Sequence, residues 1–223
     1  MRAFTRFSYS LSDHKAVARK PPTKPRKNAS QERSRATVDA LVEATARILV
    51  KEGFERASTN RIAEVAGVSV GSLYQYFPSK EALVAAVIDR HNDAIMTVVR
   101  AAFAEVADLP IEKAVRRLVT VAIEAHHINP NLHRVLAEQI PRSGHLAEVE
   151  AYNHEVHALV RAYLERHRKD MRKIDPALAA FMCVSAIEAI AHNTVLNGAE
   201  MLSEKVAKVL VDETTRMVVG YLR

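Results

Sequence analysis

From Arg35 to Lys51 the apolar side chains Val38, Leu41, Val42, Ala46 and Leu49 recur three or four residues apart. That spacing predicts an amphipathic helix with one buried stripe. Gly53 follows as a left-handed cap, and Phe54 is expected to fold back into a small core. Ile62, Ala63 and Ala66 then mark a second helix, two turns long, capped by Thr59 and ended by Gly67. Ser69 caps a third, which must end before Pro78, and Ser79 caps a long fourth from Lys80 to about Val106, stopped at Asp108-Leu109-Pro110. Further helices are expected at about 110–127, 130–139, 145–169, 175–197 and 203–221, punctuated by Asn129-Pro130, Pro141 with Ser143-Gly144, Asp175-Pro176 and Gly198. No window alternates with period two and no repeat is apparent, so the expected fold is all-α with about nine helices.

Charge adds an appendage to this picture. Residues 1–35 carry ten Lys or Arg against Asp13 and Glu32, a net +8; the whole chain is +6, so residues 36–223 sum to −2. Lys20 to Ser30 holds three prolines and almost nothing apolar, which predicts a disordered basic arm over 1–32. Such an arm suits an anionic partner, nucleic acid or a membrane surface, or is simply a solvated leader. The N-terminus lacks the continuous apolar core of a secretory signal, and no apolar run is expected to reach membrane-spanning length. With the single Cys183, neither a disulfide framework nor a cysteine zinc cluster is available. A soluble, cytoplasmic protein without membrane attachment is expected.

A chain that breaks a helix at Gly67 and starts another at Ser69 needs a small residue where the two cross. Ala63 supplies it, and Leu73 points back inward six residues after the glycine. Small residue, turn glycine and inward apolar residue at this spacing describe a helix-turn-helix, although an ordinary helical hairpin shares them. Val70, Gly71, Ser72, Gln75 and Tyr76 are expected to face outward around Leu73 and Phe77. The block S-T-N-R-I-A-E-V-A-G-V-S-V-G-S-L-Y-Q-Y-F-P-S-K-E-A-L, following K-E-G-F, resembles the TetR family of bacterial transcriptional regulators over residues 33–90. The resemblance implies a helix-turn-helix domain at 33–80 and a helical effector-binding and dimerisation domain at 81–223. It implies that Thr59 and Lys80 contact phosphates, that Tyr76 helps clamp the backbone, that Val70, Gly71, Ser72, Tyr74 and Gln75 face the major groove, and that Asn60 reaches a base edge. Ser69, at a helix N-terminus, adds partial positive charge toward phosphate. Residues 36–90 have a net charge of −1 and the reading helix lacks Lys and Arg, so base discrimination would rest on neutral side chains and much of the salt-dependent affinity on the arm.

Further along, the helix from Asp175 to Asn197 is apolar nearly all round and must be covered on both faces, by its own domain and a second subunit or as the centre of a monomer. Val206, Val209, Leu210, Met217 and Val218 offer a matching stripe on the last helix. Phe181, Ser185, Glu188 and His192 form one stripe, whose Glu188 and His192 either pair within the helix or across a dimer, or recognise a ligand. Phe103, Ile123, His127 and Tyr152 are the other candidate ligand-binding positions; Phe103, Ile123 and Tyr152, with Met96, Ile128 and Leu159, either line a cavity or, the favoured reading, fill a core. His126, His127, His133, His154 and His157 have no carboxylate or cysteine at a recognised metal spacing and are expected to be solvated or core histidines, so no metal or other cofactor is assigned.

Without a nucleophile elbow, phosphate loop or metal constellation, no enzyme is expected. The favoured reading is a ligand-responsive homodimeric repressor on a near-palindromic, double-stranded DNA operator, released by a small-molecule effector. The alternative is a chromosome-organising or protein-partnered DNA-binding protein with no small effector.

Overall fold

The computed structural model describes residues 32–140, 146–196 and 203–223. Among them are nine α-helices: α1 Glu32–Glu52, α2 Thr59–Ala66, α3 Val70–Tyr76, α4 Lys80–Val106, α5 Ile111–His126, α6 Pro130–Gln139, α7 Leu146–Arg166, α8 Pro176–Leu196 and α9 Glu204–Leu222. A short 3-10 turn, Arg168–Asp170, links α7 toward α8. The basic arm and the Ser143-Gly144 and Gly198 punctuation lie outside the described residues.

Local chemistry sets the boundaries. Gly53 and Gly67 both have positive φ, 81° and 69°, where a side chain would strain the backbone. The Gly67 amide donates to the carbonyls of Ala63 and Glu64, closing α2. One expectation is corrected here: Ser58, not Thr59, caps α2, its hydroxyl accepting from the Arg61 amide, and Thr59 is the first helical residue. Ser69, Ser79, Asn129 and Ser203 cap α3, α4, α6 and α9 in the same way.

Two apolar cores result. The first gathers α1 (Leu41, Ile48, Leu49), α2 (Ile62, Ala63), Leu73 and Phe77 around α3, the first turns of α4 (Leu83, Val84, Val87) and, across the fold, Leu132 and Val135 of α6. The second joins the end of α4 (Val106) to α5, α7, α8 and α9 through Val115, Val119, Ile123, Leu164, Cys183 and Leu222. Helix α4 therefore belongs to both. Helix α6 fastens to each side as well: Gln139 accepts from the Phe54 amide at 3.1 Å, and the Arg134 guanidinium donates to the Val195 carbonyl at 2.7 Å, placing a cation at the C-terminal end of α8.

Helix α8 corrects a second expectation. Its 21 residues are long and apolar enough to cross a membrane by length and composition alone. Its contacts point elsewhere: one face packs on α5 and α7, while Leu178, Phe181 and Met182 stand exposed, as do Val209 and Met217 on α9.

Candidate nucleic-acid interface and effector positions

Helix α3 is seven residues long and is held by its inward side. Leu73 and Phe77 are fully buried, and the Phe77 amide bonds the Leu73 carbonyl at 2.9 Å, ending the helix. Val70, Gly71, Tyr74 and Gln75 are exposed, while Ser72 is half-buried. A methyl group placed on Gly71 would meet only the Ser69 hydroxyl, at an ordinary 4.0 Å. Among the described residues, nothing therefore demands glycine there. Asn60 is exposed at the head of α2, and the Thr59 hydroxyl lies 3.0 Å from that of Tyr74, joining α2 to α3 across the turn.

Tyr76 departs from its expected outward position. Its ring is buried, because it follows Leu73 by three residues and shares its face, and its hydroxyl donates to Ser34 of α1 at 3.2 Å. Lys80 is half-buried, its ammonium donating to the Phe54 carbonyl at 3.1 Å and lying 4.0 Å from the centre of the Phe54 ring. Tyr76 thus ties α3 to α1, and Lys80 ties the start of α4 to the connection between α1 and α2.

The candidate ligand residues do not converge on one place. Helices α4, α5, α7, α8 and α9 line a partly open apolar cavity of about 70 Å³, with Phe103, Leu118, Val160, Cys183, Glu188 and Val218 among its walls. Of the expected residues, only Phe103 and Glu188 reach it. Ile123 is buried in the second core, His127 meets the Thr194 hydroxyl at 3.1 Å, and Tyr152 donates to Asp93 at 2.9 Å. Burial and the Asp93 carboxylate raise the Tyr152 phenol to about 12. Phe181 and Ser185 are exposed, Phe181 stacking against His157.

The Glu188–His192 pair within α8 is replaced by two separate contacts, because successive turns of α8 face different helices. Glu188 meets His126 of α5, with Oε2 at 3.4 Å from Nε2, whereas His192 Nδ1 lies 2.8 Å from His133 Nε2 of α6. His133 Nδ1 lies in turn 3.1 Å from Nε2 of His91, a buried residue of α4 that sequence reasoning overlooked. Burial, then the neighbouring imidazoles, lower His133 to about 3 and keep it neutral. Burial also lowers His91 and His127. At His126 burial pulls downward too, but the Glu188 carboxylate and the Ala122 carbonyl outweigh it and the net shift is upward.

With this geometry in hand, the model of the Tetracyclin repressor-like C-terminal domain matches residues 110–222, and that of bacterial regulatory proteins of the tetR family matches residues 41–87. The chain belongs to the TetR family. It is 29% identical over 116 residues to the nucleoid occlusion factor SlmA of Haemophilus ducreyi, covering 52% of this chain and 55% of that protein. The chain thus spans about half the length of that curated relative. Among solved structures it is similar to a TetR-family regulator from Mesorhizobium loti, with a TM-score of 0.68, 16% identity, and coverage of 85% of this chain and 98% of that one. It is also similar to the regulator FadR of Bacillus subtilis in complex with stearoyl-CoA, with a TM-score of 0.65, 15% identity, and coverage of 83% and 99%. At these identities the structures establish the fold. TetR-family proteins are DNA-binding transcriptional regulators and are typically dimeric.

Proposed function

We infer that this TetR-family protein is a homodimeric, effector-responsive repressor that reads a near-palindromic operator with α3. The observation carrying this reading is the uncharged exposed face of α3, Val70, Gly71, Tyr74 and Gln75, with no contact among the described residues that requires Gly71. Gln75 can bond N6 and N7 of adenine together, and Val70 can cover a thymine methyl. A bare glycine lets the helix backbone approach the base edges. The exposed apolar residues of α8 and α9 suit the subunit contact that pairs two reading helices across successive major grooves.

The cavity supports an apolar effector. At about 70 Å³ it is well below the roughly 300–1,000 Å³ of drug-sized ligand sites, so a bulky apolar molecule must spread α5, α7 and α8 to enter. That gives the effector differential affinity for two conformations, which is the thermodynamic requirement for release from DNA. The acyl-CoA seen in FadR is compatible with such a lining.

The test is quantitative binding to a genomic operator. Gln75→Ala with Ser72→Ala should cost about 1–3 kcal/mol of preference for the operator over random duplex. Gly71→Ala should weaken operator binding while leaving the fold as stable as before or about 0.5–1 kcal/mol more so. Full operator affinity in both variants would sink the assignment of α3. The likeness to SlmA favours a second reading, a chromosome-organising protein without a small effector. Genome-wide mapping of bound DNA separates the two: one or a few sites beside an operon for the repressor, many dispersed sites for the organiser.

A further inference from the structure

Where α4, α5, α6 and α8 cross, four imidazoles and one carboxylate meet: His91, His126, His133, His192 and Glu188. One ring nitrogen each from His126, His133 and His192 lies within 4.8 Å of the other two. Ring centres are 4.8 Å apart for His126 and His133, 4.9 Å for His133 and His192, and 6.4 Å for His126 and His192. Three imidazoles around one point, with a carboxylate 3.4 Å from His126 Nε2, match the donor number and type of a tetrahedral zinc site.

The outer contacts strengthen that match. His126 Nδ1 is 2.7 Å from the Ala122 carbonyl, an acceptor only, so this nitrogen carries the proton and Nε2 is the one turned toward Glu188 and the cluster. His133 Nδ1 is taken up by His91, leaving Nε2 on the side of His192. Two of the three rings thus have one nitrogen anchored outside and the other directed inward, the arrangement by which outer partners fix a ligand histidine. The 2.8 Å His133–His192 contact requires one proton between two nitrogens, the proton that a bound cation would displace.

We propose that His126, His133 and His192 bind a divalent transition-metal ion of the zinc class, with Glu188 as fourth ligand and His91 orienting His133. Tetrahedral coordination at about 2.0–2.1 Å from each nitrogen brings the nitrogens to about 3.4 Å of one another. The change is a side-chain adjustment of about 1.4 Å at the widest pair. Imidazole-rich sites of this kind suit zinc, cobalt, nickel and copper rather than magnesium or calcium. The ion would clamp α6, which supports the first core, to α5 and α8 of the second, and Glu188 would serve both the metal and the apolar cavity. The proposal does not rest on the effector reading, although Glu188 borders both sites.

The untagged full-length chain, stripped with a chelator, is titrated with Co2+ and, in competition, with Zn2+. One equivalent per chain is expected, with the intense visible absorption of four-coordinate cobalt, bleached by Zn2+. His126→Gln and His192→Gln should each lower affinity at least about tenfold and abolish the absorption with the helical circular dichroism retained, whereas His154→Gln, an exposed position on α7, should bind normally. No four-coordinate cobalt spectrum in the wild type, or an unchanged one in both His126→Gln and His192→Gln, overturns the proposal. Neither readout involves DNA, so the outcome is separate from that of the operator experiments.

Discussion

Phe77→Ala is expected to destabilise the protein by about 3–5 kcal/mol and to abolish specific DNA binding at ordinary temperature. Phe77 is fully buried in the first core, among Leu41, Leu73 and Leu83 on three helices. It is also the residue whose amide closes α3. Removing the ring takes away apolar burial and leaves a cavity that a seven-residue helix, anchored by Leu73 and Tyr76, is poorly placed to fill. Phe77→Leu, which keeps most of the volume, should cost less than about 1.5 kcal/mol. Urea unfolding of the two variants against wild type checks this, and a loss below about 1 kcal/mol for alanine would show that α3 is not held through this side chain.

The second large effect concerns Cys183. Burial pushes its thiol up to about 11, so at pH 8 its thiolate fraction falls about 100-fold below that of an ordinary thiol, before any loss of access is counted. Native protein should therefore react with a thiol reagent at least about 100-fold more slowly than the urea-unfolded chain. Equal rates would mean that α8 does not stay packed on this face. Because Cys183 lines the apolar cavity, its labelling rate also reports on occupancy: a molecule that fills the space should slow it further, and one that only pries the helices apart should speed it.

What could be read from residues alone was what local chemistry fixes. Gly53, Gly67, Ser69, Ser79 and Asn129-Pro130 each act within a few positions, so the helix boundaries followed closely. The inward pair Leu73 and Phe77 was legible for the same reason. Ser58 was missed as a cap because Thr59 is an equally good capping residue, and only the extended backbone at Ser58 decides between them. Tyr76 was misplaced because an amphipathic tyrosine suits either side of a helix, and a partner on α1, Ser34, settles which.

The histidine cluster was beyond reach for a different cause. His91 and His192 meet His133 from 42 and 59 residues away, through the crossing of four helices, and pairwise spacing along one helix carries no trace of that. The effector candidates scattered likewise: Phe181 and Glu188 lie on the same stripe of α8, yet one faces outward and the other lines the cavity.

Helix α4 spans 27 residues, a rod of about 40 Å, with its first turns in one core and its last in the other. A pivot of only about 5° at one end sweeps the opposite end through about 3.5 Å, close to the 3.4 Å rise of one base pair. Under the proposed repressor reading, a small adjustment around the cavity would suffice to shift each α3 by one step of the double helix.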